Sequence, residues 1–197
     1  MRKKLTLMFL ASLTLVTQLV VAQAKDSDKT LSGERREFVI ANFRTESGIT
    51  LPLAHVVYGT YGKLNDAKDN VVLLPSYYMA SFHGYEWLIG TDKALDPSKF
   101  FLIATELFGN GNSSSPSNTP EPYHGPRFPI TTIRDNVEVV HRLLTEELKV
   151  THLRAIVGYS MGAQQAFQWA VSYPDFADRI VATAATAKFI QCRRIKA

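Results

Sequence analysis

The residues best suited to chemistry are Gly158-Tyr159-Ser160-Met161-Gly162. A serine hydroxyl is a weak nucleophile until its surroundings expose it and a base accepts its proton. Here the serine sits between two glycines. A short apolar run precedes the pentapeptide, and a helical pattern rich in small residues follows it. That context puts Ser160 on a turn from strand to helix. The turn is so tight that the serine must take a strained backbone conformation, and bulky neighbours would collide with the strand and helix. Gly158 and Gly162 remove that obstacle. The hydroxyl would then stand at the positive end of a helix. The N–H of Met161 would point into the same space and could stabilise the oxyanion that forms on acyl transfer. Ser160 is therefore expected to be a nucleophile and Met161 a backbone oxyanion donor. A second donor is expected from the loop at residues 75–81.

These residues need a scaffold, and the apolar pattern supplies one. Residues 38–43 and 53–61 read as strands, with a polar, turn-rich break at 63–70. Residues 71–74 and 100–105 are continuous apolar runs, as in strands buried on both faces of a parallel sheet. Residues 108–130 are dense in Gly, Asn, Ser and Pro and form a long loop of the kind that shapes a site. A helix follows. Thr132 can cap it with Asp135 as capping-box partner. Ile133, Val137, Val140, Leu144 and Leu148 share one face, and Glu138 and Arg142 are spaced for an ion pair. Residues 153–157 make another strand. The next helix is expected to bury Ala163, Ala166, Phe167 and Ala170 and to end at Pro174. A last strand covers 179–184. Strands alternating with helices predict an α/β fold, a mostly parallel sheet with helices on both faces.

The 197 residues suit one domain. The N-terminus is expected to lie outside it. Arg2, Lys3 and Lys4 precede an apolar stretch to Ala22, and Ala22-Gln23-Ala24 has the small-x-small form of a cleavage site. Residues 1–24 thus read as a signal peptide for export to the periplasm or beyond, followed by a polar leader at 25–35. An uncleaved membrane anchor is the competing reading. The chain has 22 basic and 18 acidic residues, and residues 1–24 hold three of the basic ones and no acidic one. The remainder is nearly neutral, which gives no electrostatic case for nucleic acid. Gly109-Asn110-Gly111 lacks the third glycine of a dinucleotide fingerprint. No His, Cys, Asp or Glu group has metal-ligand spacing. No cofactor and no metal are expected, nor a membrane partner once the signal is removed. His83 and His124 are expected to be structural or surface residues, and Tyr77, Tyr78, Tyr85 and Trp87 to pack in the core. Cys192, the single cysteine, cannot form an internal disulfide.

Four stretches together carry a resemblance: residues 58–65 (Tyr-Gly-Thr-Tyr-Gly-Lys-Leu-Asn), 128–136 (Phe-Pro-Ile-Thr-Thr-Ile-Arg-Asp-Asn), 141–144 (His-Arg-Leu-Leu) and 158–166 (Gly-Tyr-Ser-Met-Gly-Ala-Gln-Gln-Ala). Over residues 36–188 the chain resembles the homoserine O-acetyltransferase-like branch of the α/β-hydrolase superfamily. The resemblance implies a Ser-His-Asp mechanism that passes an acyl group through Ser160 to an alcohol or to water, and it implies Tyr78 as the second backbone oxyanion donor. The substrate would be a small acyl ester or amide. The chain departs from the acetyltransferases at residues 76–80 and at 108–115, and it has Lys188 where they carry a substrate-binding arginine. Lysine lacks the bidentate fork that grips a carboxylate, which points away from homoserine as acceptor. Export also separates the protein from cytoplasmic acetyl-CoA and favours hydrolysis.

In this superfamily the acid and the histidine follow the serine in the chain. Thirty-seven residues follow Ser160, and all five histidines (His55, His83, His124, His141 and His152) precede it. Asp175 and Asp178 follow it but are expected to cap or solvate a helix end. Residues 189–197 do not resemble the continuation of the family. The expectation is a fold lacking its C-terminal strands through a frameshift, premature end or fragmentation, with little activity by itself and an aggregation-prone sheet edge. A non-catalytic binding module, or the remnant of a broken gene, is the alternative.

Overall fold

The computed structural model describes residues 33–187. Residues 1–32, Lys188 and the tail at 189–197, Cys192 included, lie outside the described residues, so the export signal, most of the polar leader and the lysine are not placed. Strands β1 (Glu34–Arg44) and β2 (Thr50–Tyr61) form a long antiparallel hairpin. β1 thus starts before Phe38, inside the stretch expected to be polar leader. Its outer residues are charged and exposed, which suits an edge strand.

Four further strands follow: β3 (Val71–Pro75), β4 (Phe101–Thr105), β5 (Ala155–Tyr159) and β6 (Ile180–Thr183). The sheet order is β1-β2-β4-β3-β5-β6. β4, β3, β5 and β6 run parallel, while β2 meets both β1 and β4 antiparallel. This is the mostly parallel sheet that the sequence pattern predicts. Val71, Leu73 and Leu74 are wholly buried, so the unbroken apolar run reports a central strand covered on both faces. Each such side chain contributes about 1.5–3 kcal/mol on burial.

Helices α1 (Ile133–Arg142) and α2 (Met161–Ser172) cover one face. Val137, Val140, Ala166 and Trp169 pack there with Val71, Leu73, Ile103 and Ile156 of the strands. The other face carries a 3₁₀-helical segment, Phe82–Leu88. It lies close on β2: a Cβ at Gly59 would come within 2.1 Å of the Phe82 ring.

Three local expectations are revised. Leu143–Glu147 forms a π-helical turn that extends α1, with Leu148 N–H donating to Leu143 O. Glu138 and Arg142 do not pair: Arg142 binds Glu146, and Glu138 accepts the Tyr173 hydroxyl. α2 buries Gly162, Ala163, Gln165, Ala166 and Trp169, leaving Phe167 half-buried and Ala170 exposed. Trp169, with its larger area, wins the inward position.

The loop at 108–130 holds no strand, only a 3₁₀ turn at Gly125–Arg127. Its serines are not a solvated spacer. Ser113 Oγ accepts Val57 N–H at 3.0 Å and Ser114 Oγ accepts His55 N–H at 2.9 Å. β4 pairs with β2 only from Tyr58 onward, so these hydroxyls satisfy the backbone donors that β4 does not reach.

Candidate active site

Ser160 lies where β5 ends and α2 begins. Its backbone has φ 52° and ψ −120°, a strained region for a residue with a side chain. The surroundings hold it there. Ser160 N–H donates to Thr183 O on β6 at 2.9 Å, and Ser160 O accepts Ala163 N–H at 3.0 Å. The two glycines are required by close approach. A Cβ at Gly158 would lie 2.2 Å from Gly162 O, and one at Gly162 would lie 2.2 Å from Pro75 O.

Ser160 is half-buried at the carboxyl end of the parallel strands. Beside it is a cavity of about 400 Å³ whose lining includes Met161, Tyr78, Leu107, Phe108, Asn110 and Asn112. The Tyr78 segment is a turn closed by Ala80 N–H to Tyr77 O, with Met79 at φ 61°. Among the described residues, neither Met161 N–H nor Tyr78 N–H has a hydrogen-bond acceptor. Both residues line the cavity.

The aromatic residues of this region separate. Tyr85 is buried and Tyr77 half-buried, while Tyr78 and Trp87 are exposed at 72% and 62%. Core packing describes only the first two. Tyr85 was not singled out from the sequence for any polar role, yet its hydroxyl donates to Pro75 O at 2.7 Å and accepts Tyr159 N–H at 3.0 Å. Burial pushes its phenol up to about 12, so it keeps its proton and can donate. Gln165, also buried, donates through Nε2 to Ser76 O at 2.8 Å. Under the cavity wall, buried Glu106 accepts Phe82 N–H, Asn110 Nδ2 and Asn112 Nδ2 at 3.1, 2.6 and 2.7 Å. The Glu-x₃-Asn-x-Asn spacing was its only sequence signal.

Among the described residues, no imidazole or carboxylate is hydrogen-bonded to Ser160 Oγ. His55 faces Glu37 on β1, His83 binds Glu86, and His124 meets Thr119 O. His141 stacks on Tyr173. His152 Nε2 does pair with Asp178 Oδ1 at 2.9 Å, and this contact holds the Asp178 carboxyl below its ordinary range, with help from Arg154 and Arg179. The pair stands before β5 and β6, at their amino ends. Ser160 leaves the carboxyl end of β5, so roughly 16 Å of strand separates them.

Residues 69–195 match the model of the alpha/beta hydrolase fold family. The ethyl acetate hydrolase of Pseudomonas veronii is 43% identical over 144 residues, covering 73% of this chain and 41% of that protein. A homoserine O-acetyltransferase of Nautilia profundicola is 37% identical over 158 residues, with 72% and 43% covered. The monoclinic structure of the acetyl esterase MekB superposes with a TM-score of 0.78 at 40% identity, over 81% of this chain and 46% of that one. The chain spans a little over 40% of the length of these curated relatives. It belongs to the alpha/beta hydrolase fold family, in the branch that holds esterases and homoserine O-acetyltransferases.

Proposed function

We propose that this chain carries the nucleophile half of a serine acyl-transfer site that acts on small esters. Ser160 Oγ attacks the ester carbonyl and gives up its proton to a base. Met161 N–H and Tyr78 N–H hold the oxyanion. The protonated base returns the proton to the departing oxygen, which leaves as the alcohol; the base then takes a proton from water, whose attack regenerates Ser160 and releases the acyl group as a carboxylate. The strained backbone of Ser160, held between β5 and α2 at φ 52°, carries this reading, because such strain persists only where surroundings over-determine it. The names of the acetyl esterase and ethyl acetate hydrolase relatives favour a small acetyl ester over homoserine acetylation.

A fluorophosphonate tests the nucleophile. The full chain should form a slow adduct located at Ser160 by mass spectrometry, and Ser160→Ala should form none. An adduct elsewhere, or no adduct, would sink the proposal. Turnover of p-nitrophenyl acetate by the chain alone should stay at background, because no described residue is placed to take the Ser160 proton. That same observation favours a second reading, a binding module without turnover. Sustained, Ser160-dependent turnover by the chain alone would exclude it.

Residues 1–24 act, in this proposal, as an export signal. Sequencing the mature N-terminus should return Lys25, and a mature protein that retains Met1 would reject cleavage.

A further inference from the structure

We infer that Tyr85 and Gln165 are positioning residues that set the distance between the two backbone donors facing Ser160. The inference rests on reading Ser160 as the nucleophile. Met161 N–H and Tyr78 N–H belong to segments far apart in sequence, one following β5 and one following β3. Nothing in the local backbone ties them together, since β3 and β5 pair only at Val72–Ala155 and Leu73–Ile156. Toward the site no further residue pair joins the two strands, and side chains make the link.

Tyr85 supplies the first link. Its hydroxyl donates to Pro75 O, the last residue of β3, and accepts from Tyr159 N–H, the last residue of β5. One atom therefore links the ends of both strands, one residue before Ser160 on one side and three residues before Tyr78 on the other. Both capacities of the hydroxyl are used, and the side chain is buried, so the link cannot exchange with water. Gln165 makes a second link one residue further on, from the first turns of α2 to Ser76 O. Gly162 closes the arrangement: its Cα hydrogen faces Pro75 O and the Tyr85 hydroxyl, where a Cβ would come within 2.2 and 2.7 Å. The oxyanion donors must sit at a set separation because the charge they meet is a single oxygen atom. A displacement of about 1 Å at such a site costs up to roughly 100-fold in rate.

The test is fluorophosphonate modification of the full chain, resolved into binding and the maximal rate of bond formation. Tyr85→Phe keeps the ring and loses only the link. It should lower the maximal rate about 10- to 100-fold and leave binding unchanged. Gln165→Met should do the same to a smaller degree, and it serves as the reporter if Tyr85→Phe does not fold. Tyr61→Phe is the control. It removes another buried hydroxyl, one that bonds Glu86 and Phe82 O on the same 3₁₀ segment, and it should leave the rate unchanged at a matched melting temperature. Equal rates in all variants, or an equal loss in Tyr61→Phe, would overturn the inference. If wild type forms no adduct, the nucleophile reading fails separately. Amide exchange then decides the link: Tyr85→Phe and Gln165→Met should each accelerate exchange in both the 75–80 and 158–162 segments, and unchanged exchange in either segment overturns it.

Discussion

At the scale of single residues, the site is built from a conflict between stability and chemistry. Ser160 occupies φ 52° and ψ −120°, which costs about 1–3 kcal/mol for a residue with a Cβ. Glycine escapes that strain but loses roughly 0.5–1 kcal/mol through the added freedom of the unfolded chain. The first effect is the larger. Ser160→Gly should therefore stabilise the protein by about 1 kcal/mol in urea unfolding while abolishing the fluorophosphonate adduct. Equal or lower stability would mean that the backbone is relaxed and that the turn does not store strain. The glycines on either side act in the opposite sense. Their missing Cβ atoms are what lets α2 start directly against Pro75 and β5.

At the scale of elements, α1 is anchored at its start more firmly than a helix of ten residues requires. Thr132 Oγ1 accepts Asp135 N–H, and Asp135 Oδ2 accepts Thr132 N–H, a complete capping box. The second carboxylate oxygen of Asp135 accepts Glu46 N–H at 2.7 Å, from the β1–β2 turn. The buried Asp135 thus ties the hairpin to the helix, beside the contacts that Thr132 and Arg134 make to the Glu46 carboxylate. Thr132→Ala should cost about 1 kcal/mol, as an ordinary cap. Asp135→Ala leaves the Thr132 cap in place but removes the carboxylate that accepts both the Thr132 and the Glu46 amides, and should cost more, about 1–2 kcal/mol. Because the Thr132 hydroxyl also donates to the Glu46 carboxylate at 2.8 Å, equal unfolding free energies for the two variants would show that the Asp135 contact to the hairpin adds nothing beyond what Thr132 supplies. The loop at 108–118 is anchored on the same logic, with serine hydroxyls standing in for a missing strand along β2.

At the scale of the molecule, two surfaces carry groups whose contribution can be measured. The first is where α1 meets the end of α2. His141 stacks on Tyr173 with centroids 3.9 Å apart and also contacts Trp169 and Phe176. Burial lowers its pKa from the ordinary value, against the smaller opposing pull of Glu138 and Glu146. The folded chain therefore binds fewer protons here than the unfolded chain. Stability from this group is complete above the unfolded value of about 6.5 and is lost as pH falls toward the lower folded value. The melting temperature should drop between about pH 7 and about pH 5.5, and His141→Phe, which keeps the stack, should flatten that part of the profile. An unchanged slope would assign the effect to another group. The second surface is β6, the outer strand of the sheet among the described residues. Ile180 and Val181 are 36% and 45% exposed there, and an apolar strand edge invites pairing. Val181→Lys should raise the monomer fraction in light scattering, and no change would place self-association elsewhere.

The parts of this protein legible in its sequence are those encoded by neighbouring residues. The pentapeptide around Ser160, the Thr132–Asp135 box and the apolar runs of β3, β4 and β5 each depend on positions a few residues apart, where backbone geometry leaves a readable period or motif. The tertiary structure decided the rest. Tyr159 and Tyr85 are 74 positions apart, and Gln165 and Ser76 are 89 apart, so no local pattern announces either contact. Arg142 pairs with Glu146 although Glu138 is equally close in sequence, while Glu138 accepts the hydroxyl of Tyr173 from the end of α2. The inward face of α2 likewise passed to Trp169: periodicity marks several apolar positions, and only packing against β5 and α1 chooses among them. His152 and Asp178, 26 positions apart, form a pair that no local pattern announces. The direction of the parallel strands puts them at the end of the sheet opposite Ser160.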